Sequence, residues 1–155
     1  MNQFKPEIKA LILVHTIMLV MVLMFTGLSY FFSAKIMTTP VDASLDKILQ
    51  LVAVVLSVVA PFAAFRMFKH KRLAWQNNPA GLAEKINDYR AASTMKFALL
   101  ESPILFSAVG YFLTQNTSFI ILAVVLIFIL AGQKPTVTLM TYDMNISRDE
   151  LFEKV

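Results

Sequence analysis

The chain has 155 residues, 57% hydrophobic and only 15% charged, with 14 Lys and Arg against 10 Asp and Glu for a formal net charge of +4. Soluble domains run at roughly 45–50% apolar and about 25% charged, so the balance here leans toward lipid, and the length allows one compact domain. With no cysteine and only His15 and His70, disulfides, thiol catalysis, Fe–S clusters and a histidine-rich metal centre are excluded, and basic residues gathered between apolar runs argue for membrane flanks rather than nucleic-acid binding.

The first apolar run covers residues 10–33, with no charge between Lys9 and Lys35. It exceeds the apolar core of a cleavable signal, about 7–15 residues, and reads as an uncleaved first span; a bilayer core of about 30 Å needs roughly 20 apolar residues in a helix. A polar turn with Thr38-Thr39-Pro40, Asp42 and Asp46 leads to a second run over 48–66, closed by Arg66. Ala53, Ser57, Ala60 and Ala64 form a small-residue stripe along it, of the kind that lets membrane helices approach closely.

Residues 67–91 read as a long basic loop, rich in Lys and Arg with only Glu84 and Asp88 to oppose them. Part of it is expected to be ordered. Asn77-Asn78-Pro79 suits a helix cap with proline at the first helical position, and Leu82, Ile86 and Tyr89 recur at helical spacing. The third helix is therefore predicted to start near Ala80 and stand above the membrane before spanning 92–114, with Ala91, Thr94, Ala98 and Ser102 as its own small-residue stripe. A tight polar hairpin, Gln115-Asn116-Thr117-Ser118, leads to a fourth span over 118–133. That span is short, roughly 24 Å, and calls for bilayer thinning or a helical extension past Pro135. In the tail, 134–155, Ser147-Arg148-Asp149-Glu150 matches a capping box ahead of Leu151 and Phe152.

The fold expected is all-α: an integral membrane four-helix bundle of two hairpins, in one domain. Of the 14 Lys and Arg, only Lys35 and Lys47 fall on one side of it; the other twelve lie with the termini and the long loop, so both termini are expected to be cytoplasmic. Tyr30, Tyr111 and Phe119 near one end, and Phe65, Phe68 and Trp75 near the other, fit interfacial aromatic belts.

Glu101 stands out because no charge follows it until Lys134, which places a carboxylate inside an apolar span. Its own helix offers no close cation: Arg90 shares its face but lies eleven residues, about 16 Å, away, and Lys96 points elsewhere. His15 lies six residues beyond Lys9 and Glu101 five beyond Lys96, so equal depth nominates His15 as partner, with Arg66 the rival. The set Glu101, His15 and Arg66 can serve as a structural polar clasp, as a proton- or ion-handling site, or as a contact for a partner or lipid. Pro61 and Pro103 each remove a helical hydrogen bond, freeing the carbonyls of Ser57 and Leu99, and each can kink its helix. No phosphate loop, dinucleotide fingerprint, metalloprotease helix or nucleophile elbow is present, so neither an enzyme nor a cofactor is expected.

Tyr89-Arg90, Ala98-Leu99-Leu100-Glu101-Ser102-Pro103-Ile104-Leu105-Phe106, Leu113-Thr114-Gln115-Asn116 and Lys134-Pro135-Thr136 resemble an uncharacterised family of small bacterial four-helix membrane proteins. Its pattern reads tyrosine-arginine, A-L-L-E-G-P-A-L-F, L-T-G-N and R-P-T. The likeness covers most of 82–145; Ser102 and Gln115 replace glycine and Lys134 replaces arginine. It implies the four-helix layout in a bacterial inner membrane and brings no activity. Ala98-Leu99-Leu100-Glu101 with Leu105-Phe106 and Val109 is also similar to the ion-binding helix of rotary ATPase ring proteolipids, which implies a carrier role for Glu101. The four glycines, Gly27, Gly81, Gly110 and Gly132, leave the second span without the glycine-rich face of those proteins. The expectation is thus a non-enzymatic accessory or scaffold subunit, partnered by lipid and by a membrane protein or a second copy; the alternative is a proton- or ion-coupled component using Glu101.

Overall fold

Pro6 opens the first helix, where its missing N–H has no helical partner to lose. The computed structural model describes residues 6–36, 42–77 and 81–147. Over these, five helices follow one another: α1 (Pro6–Ile36), α2 (Ala43–Asn77), α3 (Leu82–Thr114), α4 (Thr117–Ala131) and α5 (Val137–Met144), with no strand among the described residues. The caps expected at 77–79 and 147–150, and the turn at 38–40, lie wholly or partly outside the described residues.

α3 is the hub, packing against α1, α2 and α4. α1 buries one narrow stripe, Ile8, Leu11, His15, Val22, Thr26, Ser29 and Ser33, at a spacing close to 3.6 residues. Its remaining faces are apolar yet exposed; Phe31, for example, is 70% exposed. On α2 the expected small-residue stripe is the packed face, with Ala53, Ala60 and Ala64 buried. That stripe continues past the predicted boundary at 66 through Phe68 and Trp75, which explains why α2 runs on to Asn77 where a loop was expected. Two features depart from a bundle of two hairpins. α1 and α2, though consecutive, share little contact, each lying instead on α3. The chain also does not extend α4 past Pro135: it turns at Gly132 and forms α5, which packs back on α2.

The α3–α4 hairpin is as tight as the sequence suggests. Gln115 ends α3 in the left-handed region, φ 57°, its N–H bonded to the Tyr111 carbonyl at 2.8 Å. Asn116 then caps α4, its side chain accepting from the Ser118 N–H at 3.1 Å. Close approach is set by Gly110: a Cβ there would sit 2.6 Å from the buried Phe119 ring. α1, α2 and α3 are each long and apolar enough to cross a membrane. α4, with 15 residues and about 22 Å of rise, falls short of that length.

Candidate functional site

Among the described residues no hydrogen bond or ion pair joins any two of the three residues nominated from sequence, Glu101, His15 and Arg66. His15 is buried on α1, its Nε2–H donating to the Leu130 carbonyl of α4 at 3.0 Å and its ring edge meeting Phe97 at 4.8 Å between centroids. It thus sits level with Phe97, four residues or about 6 Å of helical rise from Glu101, and ties α1 to the end of α4. Arg66 is exposed on α2. Glu101 is half-buried on α3, and no hydrogen bond or ion pair joins it to a described residue. His15 and Glu101 are not at equal depth because Lys96, the expected surface marker, is itself only 4% exposed.

Glu101 flanks the second small-residue stripe, which differs from the first in its exposure. Ala91, Thr94, Ala98 and Ser102 are all exposed, so among the described residues this stripe is not a buried face. The carbonyl freed by Pro103 is covered locally: the Ser102 hydroxyl donates to the Leu99 carbonyl at 3.0 Å. It is therefore not an open ligand beside the acid, and Ser102 has a structural task. Pro61 and Pro103 are both buried inside continuous helices.

A second polar cluster, not anticipated from sequence, lies where α2, α3 and α5 meet at the basic end. Asp143 of α5 is buried, its carboxylate accepting from the Tyr89 hydroxyl at 3.4 Å and facing the Arg72 guanidinium at 3.7 Å. Arg72 also lies over the Tyr142 ring, 5.9 Å from its centroid. Burial pushes the Asp143 carboxyl above its ordinary 3.8, against the opposing pull of Arg72, Tyr89 and Lys96. Beneath it, Phe68, Trp75 and Tyr89 meet with centroids 5.5–5.8 Å apart. The Lys96 ammonium sits over the Phe68 face at 4.1 Å and donates to Gln133 Oε1 at 3.4 Å.

The sequence carried a faint signal for this cluster. Thr136 caps α5 by accepting from the Leu139 N–H, and Met140, Asp143 and Met144 bury one face at i, i+3 and i+4. Chemically the cluster pairs each charge with an opposite charge or an aromatic face, which holds α5 against α2 and α3. Among the described residues no three His, Asp or Glu side chains gather as metal ligands would. No family model, curated protein or solved structure matches the chain.

Proposed function

We propose that the chain is a multi-pass protein of the bacterial inner membrane, with its basic end and both termini cytoplasmic, serving as a non-enzymatic accessory or scaffold subunit of a larger membrane assembly. Three helices of spanning length and the apolar side chains exposed along α1 and α2 support the membrane setting. The observation that carries the subunit reading is the outer face of α3. There a carboxyl without a hydrogen-bond or ion-pair partner among the described residues flanks small residues that leave room for another helix backbone. A helix from a membrane protein partner, or from a second copy, would cover the stripe and give Glu101 a donor.

Purification of the tagged protein in mild detergent tests this. The wild type is expected to migrate with a partner or as an oligomer, and Ala98→Leu, which fills the stripe, to release it while the chain still inserts. A wild type that is monomeric throughout would defeat the reading. One observation favours the ion-coupled alternative: the same half-buried carboxyl has no hydrogen-bond or ion-pair partner among the described residues, as a carrier's has none between loadings. Cation-protected carbodiimide labelling of Glu101, with Glu101→Gln assembling normally but losing transport, would select it.

A further inference from the structure

Arg66, Lys69 and His70 occur at i, i+3 and i+4 on one exposed face of α2, where its apolar run gives way to basic residues. They line an open groove of about 680 Å³, whose apolar walls include Phe62, Ala63 and Leu73. Phe62 is 64% exposed. Among the described residues the ion pair formed is Arg72 with Asp143, so neither Arg66 nor Lys69 has a carboxylate partner. Two basic side chains and an imidazole thus line, without an acidic partner among the described residues, a groove that is apolar toward the spanning part of α2.

From this juxtaposition, and resting on the membrane reading above, we infer that the groove holds an anionic phospholipid. Its phosphate meets Arg66, Lys69 and His70, and an acyl chain lies along Phe62 and Ala63. In the proposed orientation the basic residues stand at the cytoplasmic leaflet, where anionic headgroups are concentrated. A soluble phosphate would use the cations but leave the apolar walls wet; a lipid satisfies both. The guanidinium supplies paired donors to phosphate oxygens, and Lys69 a mobile point charge.

The test is native mass spectrometry of the full chain released from nanodiscs of mixed phosphatidylglycerol and phosphatidylcholine. The wild type is expected to retain phosphatidylglycerol preferentially, and Arg66→Gln with Lys69→Gln to weaken that retention roughly tenfold. Lys71→Gln with Lys134→Gln removes the same charge from the same end; Lys71 lies about 140° round the helix from Arg66, and this pair is expected to leave retention nearly unchanged. Equal loss in both double variants, or no preference in the wild type, overturns the inference, since diffuse charge or nothing then accounts for binding. Displacement of the lipid by millimolar inorganic phosphate also overturns it, in favour of a soluble anion. Extraction of the chain from membranes by alkaline carbonate would instead overturn the membrane reading beneath it.

Discussion

The two ends of the bundle are tied by different chemistry. At the hairpin end Asn116 donates to Asp46 at 2.9 Å, Gln50 donates to the same carboxylate at 3.2 Å, and Gln115 reaches the Ser33 carbonyl at 3.2 Å. The donors here are neutral amides, and two of the three meet the half-buried Asp46 carboxylate. At the basic end the polar contacts are longer, 3.4–3.7 Å, and buried charges lean on aromatic faces. Neutral amides can be enclosed with a few hydrogen bonds, whereas an enclosed charge needs a counter-charge or a π-face. The basic end should therefore be the more sensitive to losing a single partner and to pH.

Asp143→Ala should break this contrast most. It strands Arg72 and the Tyr89 hydroxyl, and is expected to lower stability by about 2–3 kcal/mol, less than a fully enclosed pair because Arg72 is a third exposed. Thermal unfolding in detergent measures it, and hydrogen exchange should show α5 losing protection first. Gly110→Ala follows, at about 1–3 kcal/mol, since the Phe119 ring must leave a close-packed position. Next comes pH. A carboxyl whose folded pKa lies above its unfolded value contributes stability that is complete below 3.8 and is lost as pH rises through the raised value. Unfolding temperature should fall over that interval, and Asp143→Asn should flatten the fall; an unchanged slope would show that the carboxyl does not govern it. The smallest effect is expected at Gln115→Gly. Relief of the left-handed backbone, about 1 kcal/mol, is offset by loss of the bond to Ser33, so the net change should stay within about 0.5 kcal/mol.

The first four helices were legible because their sequence carries an apolar run, a stripe or a turn. α1 has its uncharged run between Lys9 and Lys35, α2 its alanines, and the α3–α4 turn its polar quartet. The solitary acid was legible too, as a charge among apolar neighbours. Its surroundings were not, for two physical reasons. Lysine was read as a marker of the water boundary, yet Lys96 is enclosed by Phe68, Phe97 and Gln133, which moved the depth scale by about a turn. A stripe of small residues marks a surface fit for close packing but not which helix fills it; on α2 it is largely buried, on α3 it is exposed among the described residues. Asp143 escaped because eight residues carry too little pattern to separate a docking helix from a solvated tail.

α3 also fixes the order in which the molecule can come together. The first two helices leave the ribosome with almost nothing to offer each other, since the surfaces they bury are complementary to a segment not yet made. Until α3 emerges they are independent rods. A nascent chain halted before Leu82 should therefore stay unassembled, and its alanine-lined flank would be open to capture by any neighbouring helix.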